Sequence, residues 1–98
     1  MTLVIDLPLV IHYLIPMKEV IFQPAARKVL RKMPVNTARR IIDKINAYAA
    51  DPASQANNVI ALTGTEGIRL RVGDWRVIMR DGEVLDVLRV GPRGGIYE

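Results

Sequence analysis

The chain has 98 residues, half of them apolar, with no cysteine, one histidine and a formal net charge of +4 at neutral pH. That length holds one small domain. The lack of cysteine rules out a disulfide framework, and one histidine leaves no metal-ligand spacing, so neither a cofactor nor a metal is expected.

The charge is unevenly placed. Residues 18–50 carry eight Lys or Arg against Glu19 and Asp43, a balance of +6, whereas residues 66–98 carry six Arg against six acids. A basic segment of this kind attracts polyanions such as RNA, or an acidic partner, by counterion release; the plainer reading is a solvated helix face. The absence of cysteine fits a reducing cytoplasm, where the protein is expected to reside.

Residues 2–16, TLVIDLPLVIHYLIP, are mostly apolar, but Asp6, Pro8, His12 and Pro16 interrupt them. The run is shorter than the roughly 18 residues of a membrane span and lacks the basic start and cleavage site of a secretory signal. No membrane association is expected. His12 reads as a packed side chain rather than a ligand or base. Met17-Lys18-Glu19-Val20-Ile21-Phe22 reads as a natural beginning and a first strand. The expectation is therefore a single domain over residues 17–98, with residues 1–16 an N-terminal extension or an upstream-start artefact.

Gln23-Pro24 opens a helix, because proline is favoured at the first helical position. Ala26, Val29, Leu30 and Met33 then recur at helical spacing, with Arg27, Lys28, Arg31 and Lys32 opposite. Met33-Pro34-Val35 ends it. Asn36 or Thr37 is expected to cap a second helix whose stripe is Ala38, Ile41, Ile42, Ile45, Tyr48 and Ala49, stopped by Asp51-Pro52. Residues 53–67 read as a connecting loop in which Val59, Ile60 and Leu62 pack back.

The stretch from Ile68 to Tyr97 reads as three strands joined by breaks at Gly73-Asp74 and Asp81-Gly82. If both breaks are two-residue hairpin loops, Ile68, Leu70, Val72, Trp75, Val77 and Met79 share one face while Arg69, Arg71 and Arg76 share the other. The first face takes the helix stripes and makes a core. The second is cationic, with an expected floor of Ile78, Leu85 and Val87. The same count sets Arg80 against Glu83 and Asp86 against Val77 on the core face, which calls for a bulge or a sheet edge. The resulting fold class is α+β: an N-terminal strand, then a two-helix hairpin packed on one face of a small twisted antiparallel sheet whose other face stays open.

Leu62-Thr63-Gly64, the run RLRVGDWRVI, then LRVGPR and a closing Ile96-Tyr97 together resemble the RelE/ParE superfamily of toxins from bacterial toxin–antitoxin pairs, over roughly Lys18 to Tyr97. The resemblance implies that Arg69, Arg71, Arg76, Arg93 and Tyr97 are the functional positions. It also implies a RelE-like activity: ribosome-dependent mRNA cleavage without metal, in which the RNA's own 2′-hydroxyl attacks the adjacent phosphate. The implied partners are the ribosome, mRNA and a cognate antitoxin, small, acidic and ordering on binding, in a hetero-oligomer. The alternatives are a ParE-like inhibitor of DNA gyrase, which binds without catalysis, and a catalytically weakened toxin that acts only as an antitoxin partner.

The reaction needs a base for the 2′-hydroxyl, positive charge for the phosphorane and an acid for the leaving oxygen. Arginine suits the second task, since its fork grips phosphate oxygens and keeps its charge. Two lysines that precede this segment in some relatives are matched here by Gly67 and Arg69, so the base stays unassigned. Tyr97 fits a base role if arginines lower its pKa, or equally an orienting or stacking role. The competing reading has the arginines merely covering a half-exposed sheet, paired with Asp74, Glu83 and Asp86.

Overall fold

The computed structural model describes residues 17–95. Strand β1 (Val20–Phe22) leads into helix α1 (Pro24–Lys32) and helix α2 (Val35–Ala50). A short 3-10 helix over Pro52–Asn58 then leads to β2 (Val59–Ala61), β3 (Ile68–Val72), β4 (Trp75–Asp81) and β5 (Leu85–Pro92). The five strands form one sheet in the order β1-β5-β4-β3-β2. The expected antiparallel pairing holds for β2 to β5, but β1 joins parallel to β5, with Val20 beside Leu85 and Phe22 beside Val87. No helix among the described residues is long and apolar enough to cross a membrane.

Both helices lie on one face of the sheet because each has a single apolar stripe to bury. Pro24 sits in the first turn of α1, where its missing N–H costs nothing, and Ala26 and Leu30 face inward. Helix α2 starts at Val35 with Pro34 in the capping position and no side-chain cap, so neither Asn36 nor Thr37 caps it. The carbonyl of Pro34 already accepts from the Ala38 N–H at 3.0 Å, which draws both residues into the first turn. Ile41, Ile45, Tyr48 and Ala49 are buried against Leu70, Val72, Val77, Met79, Leu85, Val87 and Val90 of the sheet. Val29, Met33, Ala38, Ile42, Ile68 and Trp75 flank this core half-buried.

The stretch read as a plain connecting loop contains the 3-10 helix and the edge strand β2. Val59 packs against the core, but Ile60 stays half exposed because it stands on the opposite sheet face, across from Arg69. A strand of three residues with polar and glycine neighbours gives too little alternation to be read as a strand.

Tyr48 belongs to the core, and its hydroxyl also reaches out of it to donate a 2.7 Å hydrogen bond to Oδ2 of Asp81, whose Oδ1 accepts from the Lys18 ammonium. Burial, reinforced by the Asp81 carboxylate, pushes the Tyr48 hydroxyl from 10.0 up to about 12. Burial also works against the Asp81 charge, but the hydrogen bonds from Lys18 and Tyr48 outweigh it and hold that carboxyl below its ordinary value. The raised tyrosine stabilises the fold fully below pH 10.0 and loses its contribution as pH climbs toward about 12. The depressed aspartate stabilises above its unfolded value of 3.8 and stops doing so as acid protonates it in the folded state. Melting temperature should therefore fall at both extremes. Tyr48→Phe should cost about 1 to 2 kcal/mol by removing a donor from a part-buried carboxylate, and should flatten the alkaline limb. An unchanged alkaline fall in that variant would place its cause elsewhere.

A candidate phosphate-binding face of the sheet

Strands β3 and β4 pair as counted from the Gly73-Asp74 turn: Val72 with Trp75, Arg71 with Arg76, Leu70 with Val77 and Arg69 with Ile78. Gly73 takes φ +60, and no non-glycine residue among those described has positive φ, so the loop has the φ signs of a type II′ hairpin turn. Arg69, Arg71 and Arg76 consequently stand together on the face away from the helices.

The second hairpin differs from the count. Its loop is Gly82-Glu83-Val84, closed by Asp81 beside Leu85, and a bulge at Leu88 lets Met79 pair with Val87 while Ile78 pairs with Arg89. The third loop residue puts Leu85 and Val87 on the core face, and the extra residue at Leu88 then turns Arg89 to the open face. Leu85 and Val87 are core residues and not the floor of the cationic face. The floor is Ile78, only 4% exposed, with Ile60 beyond Arg69. Asp86 stands opposite Arg80 rather than Val77, and its carboxylate accepts from Gln23 Nε2 at 3.1 Å.

Two rows of side chains thus cross the open face. One runs Ile60, Arg69, Ile78, Arg89, and the other runs Arg71, Arg76, Gly91. Arg71 and Arg76 are placed by specific contacts. Arg76 Nη1 donates to the carbonyls of Gly73 at 2.9 Å and Trp75 at 3.0 Å, which lays the guanidinium along the turn. Arg71 Nη2 donates to Asn58 Oδ1 at 3.1 Å, and Asn58 in turn donates to the buried Gln55. The 3-10 helix therefore orients Arg71, a role its sequence did not announce. The Arg93 N–H donates to the Asp74 carbonyl at 2.7 Å, bringing the turn after β5 against the β3–β4 turn.

Arg69, Arg71, Arg76 and Arg93 form one electrostatic group. Burial first, and then Arg69, Arg93 and Arg71, pull the Arg76 pKa below its ordinary value, partly offset by Asp74. Such a cluster raises the energy of the empty site and lowers it when an anion enters. Arg71, Arg76, Arg89 and Arg93 form no ion pair with any described residue; Lys18 pairs with Asp81 and Asp86 bonds Gln23. The charge-covering reading, in which Asp74, Glu83 and Asp86 pair with these arginines, is thus not supported for those four. Tyr97 lies outside the described residues. Arg89 is not marked by the sequence pattern, because the three-residue loop and the bulge together set it across Ile78 from Arg69.

The fold, a two-helix layer on one face of a five-stranded sheet, is shared with chains of solved RelB–RelE toxin–antitoxin complexes. The chain matches the archaeal RelE–RelB complex of Pyrococcus horikoshii with 28% identity and a TM-score of 0.67, covering 81% of this chain and 98% of that one. A RelBE toxin–antitoxin complex of Mycobacterium tuberculosis matches in fold at 20% identity and a TM-score of 0.66, over 79% of this chain and 99% of that one. The intact Escherichia coli RelBE complex matches in fold at 23% identity and a TM-score of 0.60, over 76% and 95%. No curated protein is a significant match to the sequence. Residues 20–97 match the family of ParE toxins of type II toxin–antitoxin systems, and the chain belongs to that family. It is a toxin of the RelE/ParE type.

Proposed function

We propose that this toxin is an endonuclease that cuts mRNA in the ribosomal A site and is neutralised by an acidic antitoxin. The observation that carries the reading is the grouping of Arg69, Arg71 and Arg93 around Arg76, which is held at the Gly73-Asp74 turn. In the proposed reaction the 2′-oxygen attacks phosphorus, the bond to the 5′-oxygen breaks, and a cyclic phosphate and a 5′-hydroxyl result. The arginines supply charge to the phosphorane, whose negative charge exceeds that of the ground state. Arginine, protonated below about pH 12, does not serve as the base. We assign proton transfer to Tyr97, four residues beyond Arg93. The antitoxin assignment rests on the basic helical segment, with its balance of +6 over residues 18–50, and on the RelB partners of the similar toxins.

The ParE character of the family match favours a second reading, in which the same cationic face grips DNA gyrase without catalysis. Primer extension on cellular mRNA after induction separates the two. In-frame cuts support the nuclease; intact mRNA with broken DNA supports gyrase poisoning.

The lysine found in some relatives at position 67 does not transfer to this chain. Gly67 has φ +133, and a Cβ there would meet the Met79 carbonyl oxygen at 3.0 Å. Gly67→Lys is expected to cost about 1 to 3 kcal/mol through backbone strain and to leave cleavage no faster. Thermal melting and a cleavage assay on programmed ribosomes check both halves; a faster, equally stable variant would show that the site accepts a lysine base.

A further inference from the structure

Beside the arginine cluster, on the β2 side, the open face sinks into a recess of about 350 Å³ lined by Ile60, Leu62, Thr63, Arg69, Ile78 and Arg89. That size falls within the roughly 300 to 1,000 Å³ of small-ligand sites. Its composition is uncommon for a plain surface dent. Ile78 forms a floor only 4% exposed, Ile60 is half exposed at the rim, and Arg69 and Arg89 stand in register on either side of Ile78. A flat apolar floor takes the face of a base, flanking guanidinium groups take phosphate oxygens, and the Thr63 hydroxyl at the rim offers both a donor and an acceptor to a base edge.

The row that holds this recess is separated from the row of Arg71 and Arg76 by two residues along each of β3 and β4. Two residues of strand span about 6.8 Å, comparable with the step between successive phosphates in an extended RNA strand. Arg69 belongs to the recess and also acts electrostatically on Arg76, so the two places are contiguous. On the far side of Arg89, Asp86 stands beside Arg80 and is held by Gln23, which ends the cationic stretch on that side.

We infer that this recess is a nucleotide subsite, in which Arg89 and Arg69 hold the phosphate next to the scissile one while its base lies on Ile78 and Ile60. The inference rests on the RNA-cleaving reading. It assigns Arg89 as a positioning residue that sets which nucleotide is accepted beside the cut. The protein's own β5 bulge creates the site, since without it Arg89 would face the core.

The test uses short single-stranded RNA oligonucleotides carrying a 2′-deoxy nucleotide that blocks cleavage, titrated by fluorescence anisotropy over a range of salt, together with mapping of cut sites on programmed ribosomes. Arg89→Ala is expected to weaken binding on the order of 10-fold at low salt and to lower the slope of log K against log salt by about 0.7, the loss of one phosphate contact on a single strand. It should also broaden the set of nucleotides tolerated beside the cut. Arg89→Lys should recover the slope and not the selectivity. If Arg76→Ala weakens RNA binding while Arg89→Ala leaves affinity, slope and cut-site distribution unchanged, the subsite is wrong and the nuclease reading stands. If the wild-type toxin neither binds these RNAs nor cuts ribosome-bound mRNA, the nuclease reading fails and the subsite with it.

Discussion

Alanine at Arg76 or at Arg93 is expected to slow mRNA cleavage by about 10²- to 10³-fold, about 3 to 4 kcal/mol of transition-state stabilisation, by analogy with other donors aimed at developing charge. The Arg76 guanidinium is held by two backbone carbonyls before substrate arrives, and the Arg93 backbone N–H brings that residue to the same turn. Stability should hardly change, because each arginine sits among like charges. Lysine should rescue poorly at either position, since a point charge does not reproduce a bidentate fork. Tyr97→Phe tests the proposed proton transfer against a stacking role for that residue. Loss of activity marks proton transfer by the hydroxyl, and retention marks stacking by the ring. Undiminished cleavage in both arginine variants would falsify the clamp and move the weight to gyrase.

The second large effect concerns the core. Ile45→Ala should cost about 2 to 5 kcal/mol, a large share of the roughly 5 to 15 kcal/mol available to a domain of this size. Ile45 and Ile41 are fully buried between α2 and the sheet, so the lost methylenes leave a cavity that close-packed neighbours fill only in part. Ile45→Val should cost about 0.5 to 1.5 kcal/mol. Ile60→Ala, at a side chain 50% exposed, should stay within about 0.5 kcal/mol. Urea titration of the three variants checks the order; an Ile45→Ala protein as stable as the Ile60→Ala one would contradict the layered packing.

The parts of the molecule visible in the sequence are those governed by local rules. Two 3.6-residue stripes ended by Pro34 and Pro52 give the helices, and the Gly73-Asp74 break sets five cross-strand pairs correctly. The errors come where a backbone device intervenes. Asp81-Gly82 has the composition of a two-residue turn, yet the loop is three residues and the strand after it carries a bulge. No alternation pattern announces a bulge at Leu88, because Val87, Leu88 and Val90 are all apolar while only Val87 and Val90 are core. The misplaced floor of Leu85 and Val87 descends from the third loop residue, and the position of Arg89 across Ile78 from the bulge that follows. The 3-10 helix that orients Arg71 through Asn58 escaped for a related reason, since Ser, Gln and Asn suit a loop as well as a tight helical turn.

The pairing of β1 with β5 has a consequence for the timing of synthesis. Val20 lies beside Leu85, and Phe22 beside Val87, so the first strand of the sheet has no neighbour until the last one has emerged from the exit tunnel. At about 5 to 20 residues per second, the nascent chain spends seconds with its sheet incomplete. The turn that presents Arg93 comes later still. A toxin built this way has neither a closed sheet nor a complete cationic face until β5 has emerged, and an antitoxin already present meets it at the moment the fold closes.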